Sequence, residues 1–222
     1  MKYSFLIIIL FSSLTFGGNI FDKFPNQINA NEKYVFYSHG FIVEGTNPTP
    51  KNERWGIYDF PAIKESLSDN EYNLIAYHRP KDTDPFEHAE ALAKDVRKLL
   101  KNGIDANHIT IMGFSRGAFI TAITSHNLAT TPVNTILLAA CGRIASSKYA
   151  EIKANGKLLS IYETTDRAST CEKLNNRSPK LTSFDEIAIS TGKEHGAFYR
   201  PRPEWIVPVK QWIKENNSIQ AN

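Results

Sequence analysis

Apolar residues along this chain fall into two patterns that take turns. Short continuous runs end at glycine or polar residues, and longer stretches repeat an apolar position every three or four residues. The first pattern reads as a strand buried on both faces, the second as an amphipathic helix. The runs are "KYVFYSHG", "YNLIAYH", "HITIMG", "VNTILLAACG", "GKLLSIYE" and "FDEIAIS". Between and after them, helical spacing appears in "DFPAIKESLS", "DPFEHAEALAKDVRKLLKNG", "RGAFITAITSHNLA", "RIASSKYAEIKAN" and "RPEWIVPVKQWIKEN". Asp59 can cap the first helix, with Pro61 in its first turn. The second is the clearest: Asp84 caps it, Pro85 opens it, Gly103 closes it, and Ala89, Leu92, Val96, Leu99 and Leu100 share one face. Pro208 should interrupt or delay the last one.

Alternation of this kind predicts an α/β fold: a mostly parallel six-stranded sheet with helices on both faces. Such sheets bind ligands beyond the carboxyl ends of their strands, where the strand order reverses. If the first three strands lie in the order second, first, third, that reversal sets His39-Gly40 beside Gly113-Ser115.

The two chain ends and the cysteines add context. Met1-Lys2-Tyr3 leads into "SFLIIILFSSLTFGG", an apolar run too brief to span a bilayer comfortably, with small residues near Gly17. Residues 1–17 read as a cleaved secretory signal and 18–222 as a single domain, exported to a periplasm or beyond the cell. No membrane insertion is expected after cleavage. The only cysteines, Cys141 and Cys171, would then meet an oxidising compartment and are expected to join. Net charge is +3, with 41% apolar and 22% charged residues. The basic residues are scattered, so nucleic acid is not the expected partner.

Chemistry gathers at Gly113-Phe114-Ser115-Arg116-Gly117, where the third run gives way to a helical pattern. Gly-x-Ser-x-Gly alone is a weak signal, but it does not stand alone. A His-Gly follows an early strand, an acid follows a later one, and a histidine stands near the end. That ordered set resembles the α/β-hydrolase superfamily over most of residues 33–216. The resemblance implies Ser115 as nucleophile, activated by a base because a serine hydroxyl is weakly nucleophilic at neutral pH. Among the six histidines, His195 follows the last strand between Gly192 and Gly196, as the base should. Asp166, just past "GKLLSIYE", is the expected acid, and Glu163 its rival. Backbone N–H groups of Arg116 and Phe41 are the expected oxyanion donors.

The chain departs from the family pattern in three places. It lacks a His-Gly-Gly-Gly segment, most of the N-terminal strand hairpin, and any room for a cap domain. Only residues 143–155 separate "AACG" from "GKLLSIYE". The resulting site should be open, walled by Phe41, Trp55, Tyr58 and Phe198. Glu44 and Arg79, which no motif requires, should emerge at the same edge. They would pair and brace the Phe41 loop, or stand as separate surface charges, or leave Arg79 to meet an anionic substrate. Together with Trp55 they are candidate substrate contacts.

The expected activity is hydrolysis of a small-molecule carboxylic ester or related acyl compound, with no metal or organic cofactor implied. Ser rather than Asp at the elbow separates the chain from dehalogenases and epoxide hydrolases. Peptidase, thioesterase and acyltransferase chemistry use the same triad, and a non-catalytic binding protein can keep the same fold. The sequence does not fix the oligomeric state.

Overall fold

Every apolar run becomes a strand of one parallel sheet. The computed structural model describes residues 18–128 and 130–216, so the expected signal at 1–17 lies outside the described residues. In chain order the strands are β1 (Ile20–Phe21), β2 (Tyr34–Ser38), β3 (Lys51–Asn52), β4 (Gly56–Ile57), β5 (Asn73–Ile75), β6 (Ile109–Phe114), β7 (Asn134–Leu138), β8 (Asn155–Glu163) and β9 (Lys180–Ile189). The helices are α1 (Phe60–Leu67), α2 (Pro85–Lys101), α3 (Arg116–Asn127), α4 (Cys141–Ile144), α5 (Glu172–Asn176) and α6 (Pro203–Asn216).

The main sheet has seven strands in the order β1-β5-β2-β6-β7-β8-β9, all parallel. The expected count of six omits β1, a two-residue edge strand beside β5 and too short to leave a pattern. The order places β2 between β5 and β6, so the chain reverses direction across the sheet at β2. Ser38 is in register with Gly113 there. The segments after both strands leave the sheet side by side.

Side chains alternate between two apolar layers, as the pleat requires. Tyr34 and Phe36 pack with α2 and α3 on one face, while Val35 and Tyr37 pack with α1 and α6 on the other. Asp59 caps α1 by accepting from Ala62 N–H at 3.0 Å, and Asp84 caps α2 by accepting from Phe86 and Glu87 N–H. Helix α6 runs through Pro208 without a break. Among the described residues, no helix is long and apolar enough to cross a membrane.

The expected helix over 143–155 does not form. A single turn, α4, is followed by a 3-10 turn at Ser147–Tyr149. Ser146 and Ser147 favour caps over helix interiors, and Ser146 is extended at the N-cap of that turn. Arg177 then holds the segment by donating to the carbonyls of Ile144 and Ile152 at 2.7 and 2.9 Å. The Cys141–Cys171 disulfide is present and ties α4 to the start of α5.

Candidate active site

Ser115 lies between β6 and α3 with φ 55° and ψ −116°. Non-glycine residues rarely adopt such angles, which cost about 1–3 kcal/mol. The neighbouring glycines make the turn sterically possible. A Cβ on Gly117 would stand 1.9 Å from the Ser38 carbonyl oxygen, and one on Gly113 2.5 Å from that of Gly117. The turn is anchored where Ser115 N–H donates to Leu138 O at 2.9 Å. Its hydroxyl emerges beyond the strand ends.

His195 comes from a 3-10 turn after β9, Glu194–Phe198. Its Nε2 lies 2.8 Å from Ser115 Oγ, and its Nδ1 lies 2.6 Å from Asp166 Oδ2. The ring is packed between Phe114 and Trp55, with centroids 4.7 and 5.3 Å away. Glu194, immediately before it, accepts from Arg54 Nη2 at 2.6 Å and Trp55 Nε1 at 3.1 Å. These bonds, the Trp55 bond foremost, hold the Glu194 carboxyl below the usual range. The small β3–β4 hairpin thereby fixes the turn that carries the imidazole. A hydroxyl, an imidazole and a carboxylate in this sequence can pass the serine proton to the imidazole while the carboxylate steadies the cation.

Glu163, the rival acid, is fully buried and points elsewhere. Its Oε1 accepts from the N–H groups of Thr191 and Gly192, both at 2.9 Å, and its Oε2 from Thr165 N–H at 2.7 Å and the Thr165 hydroxyl. Burial pushes its pKa up, but the hydrogen bonds from Thr165, Thr191 and Gly192 outweigh this and hold it below the usual carboxylate range. One side chain thus staples the loop bearing Asp166 to the loop bearing His195. Its position at a strand end is visible in the sequence; its partners are not.

Phe41 and Arg116 each open a helical segment, so neither N–H has an intrahelical acceptor. The segments are joined through Glu44. Its Oε1 lies 3.0 Å from Arg116 Nε and 3.4 Å from Arg79 Nε. Arg79 also donates from Nη2 to His39 O, and its N–H donates to His39 Nε2 at 2.9 Å. Burial, with Arg79 beside it, pushes the His39 pKa down to about 2. The ring is therefore neutral, and its Nδ1–H donates to Gly40 O at 2.8 Å. Across the loop, His78 Nε2–H donates to Val43 O at 2.7 Å. Two histidines and two arginines hold a five-residue bend.

Two clefts meet at Ser115 and His195, of about 910 and 600 Å³. Phe41, exposed at 58%, and Trp55 border both. Of the other expected wall residues, Tyr58 and Phe198 are fully buried and pack beneath the floor. Glu44 borders the smaller cleft. Arg79 is only 1% exposed and borders neither; it lies behind the bend, beside Glu44 and His39. Among the described residues, no group of three or more His, Cys, Asp or Glu could hold a metal ion.

Residues 76–182 match the family model of phospholipases and carboxylesterases. No curated protein matches the sequence. Among solved structures, the chain is similar to SOBER1 of Arabidopsis thaliana, with 14% identity, 84% of this chain and 100% of that one covered, and a TM-score of 0.54. It is also similar to a predicted CIB-like hydrolase from Thermoplasma acidophilum, with 15% identity, 85% and 89% covered, and a TM-score of 0.54. A third is RedJ, a thioesterase from the prodiginine biosynthetic pathway of Streptomyces coelicolor, with 12% identity, 86% and 96% covered, and a TM-score of 0.51. At these identities the likeness is one of fold.

Proposed function

We propose, from the family match over residues 76–182 and the shared fold, that the chain is an α/β-hydrolase and an exported serine hydrolase that cleaves a carboxylic ester or related acyl bond. The observation that carries the reading is the unbroken chain from Asp166 through His195 to Ser115, at 2.6 and 2.8 Å, opening on the larger cleft.

Ser115 Oγ attacks the carbonyl carbon as His195 Nε2 takes its proton. Asp166 accepts from Nδ1–H and stabilises the imidazolium without itself being protonated. The carbonyl π electrons move to oxygen, where the N–H groups of Phe41 and Arg116 receive the charge. Collapse expels the alcohol, which leaves with the proton from His195, and an acyl-enzyme remains. Water, deprotonated by the same imidazole, then releases the acid and restores Ser115. Fixed donors and a fixed base favour the transition state because they need no reorganisation as charge develops.

Export is supported by the disulfide and by the charged-then-apolar pattern of residues 1–17. Turnover of nitrophenyl esters, thioesters and peptides by wild type and Ser115→Ala tests the reaction class. Ester hydrolysis lost in Ser115→Ala is the expected result. Peptide cleavage without ester cleavage, or turnover that survives Ser115→Ala, would reject it.

A further inference from the structure

The larger cleft is bordered by four arginines, Arg54, Arg116, Arg143 and Arg167, and by two carboxylates, Asp166 and Glu194. Asp166 is engaged by His195 and Glu194 by Arg54, while Arg116 is held by Glu44. Arg143 and Arg167 remain, and among the described residues neither has a carboxylate partner. Exposed arginines are ordinarily solvated charges of little consequence. These two differ in where the fold puts them.

Gly142 packs directly on the backbone of Arg167, so closely that a Cβ there would lie 2.5 Å from the Arg167 carbonyl oxygen. The Cys141–Cys171 disulfide fixes the same two segments to each other. Glycine contact and disulfide together hold the backbones of Arg143 and Arg167 at one wall. The Arg143 guanidinium is itself ordered: it lies 4.7 Å from the Phe119 ring centroid, and Nη2 donates to the Tyr149 hydroxyl at 3.0 Å. That bond, with Lys148 nearby, holds the Tyr149 phenol below its usual range, as a positive local field would. One of five guanidinium N–H groups is used, and the planar fork matches a carboxylate or phosphate.

We infer that the substrate is anionic, carrying a carboxylate or phosphate on the part that lies over Arg143 and Arg167. This rests on the serine-hydrolase reading. Charge in a cleft concentrates field and raises the local concentration of an oppositely charged substrate. Binding and encounter are the steps it serves, and the attack on the carbonyl is left to the triad.

Three nitrophenyl esters separate the possibilities: a neutral butyrate, a succinate half-ester charged on the acyl side, and a butyrate of a carboxylated nitrophenol charged on the alcohol side. The expected result is a KM for one anionic ester about tenfold below that of the neutral ester, as one charge-assisted contact would give. Arg143→Gln and Arg167→Gln should each raise that KM severalfold and leave the neutral ester unchanged. Added salt should erode the preference, since exposed charges are screened over about 10 Å at 0.1 M ionic strength. Whichever anionic ester responds assigns the charge to the acyl or the alcohol part. Turnover of the neutral ester equal to that of both anionic esters, unmoved by either variant, would overturn the inference and leave the hydrolase standing. Turnover of no ester would fail the hydrolase reading, and this inference with it.

Discussion

Glu44 Oε1 lies 3.0 Å from Arg116 Nε, and through that contact the loop after β2 is tied to the first residue of α3. The same oxygen meets Arg79 at 3.4 Å, with both side chains almost wholly buried. One carboxylate therefore sets the spacing of the two backbone N–H groups proposed to receive the oxyanion. Glu44→Ala should lower kcat about tenfold or more for neutral and charged esters alike, because displaced donors no longer meet the developing charge. It should also cost about 3–5 kcal/mol of stability, since Arg79 is left buried without a counter-charge. Unchanged kcat in a folded Glu44→Ala protein would refute the bracing role.

Asp166 and Glu163 stand at the same strand end, yet they should fail differently. Asp166→Asn should lower kcat by roughly 10³–10⁴, the scale seen when the orienting carboxylate of a triad is neutralised, with little change in stability. Glu163→Gln brings an NH₂ group among N–H and O–H donors, and should cost roughly 1–3 kcal/mol for each buried donor left unsatisfied. Steady-state kinetics and denaturant titration of both variants separate the roles. Reversal of the two phenotypes would move the acid to Glu163.

The depressed Glu163 carboxyl also predicts a pH dependence. A group whose folded pKa is lowered contributes stability that is fully present above its unfolded value, about 4.3 for glutamate. That contribution is lost as pH falls through the lower folded value. The stability gap between wild type and Glu163→Gln should therefore be constant from pH 7 to 5 and shrink below about pH 4. Denaturant titrations across this range check it, and a gap that persists unchanged at low pH contradicts it.

Cys141 and Cys171 are 30 residues apart, and opening their bond should cost roughly 3–4 kcal/mol in the chain-entropy model. A lowered Tm in reductant, absent in the double Cys→Ser protein, is the expected result. Unreduced peptides of exported protein should show the crosslink by mass spectrometry. Free thiols at both positions would contradict it.

Much of this architecture is legible in the sequence because burial on both faces leaves an unmistakable run. The order second, first, third enters the sequence reading only as a condition, and the pairing of β2 with both β5 and β6 meets it. Ser115, Asp166 and His195 could be named because each follows a strand end in the order the superfamily resemblance supplies. The failures share a cause: tertiary contacts override local pattern. The segment after Ile144 scans as a helix, but Arg177, which holds it in another shape, is distant in sequence. The strand β1 is stabilised by its neighbour β5, not by its own two residues. The hub at Glu163 and the clasp between Glu194 and the β3–β4 hairpin are made by pairs 28 and 140 residues apart, which no local spacing reports.

The proposed reaction requires His195 to make Ser115 a nucleophile. Exposure of folded protein to a fluorophosphonate, followed by peptide mass spectrometry, tests it directly. A single phosphonyl adduct on Ser115 is expected in wild type, with its near-complete loss in His195→Ala. A folded wild-type protein that takes no label, or labels at Ser115 equally well without His195, would contradict it.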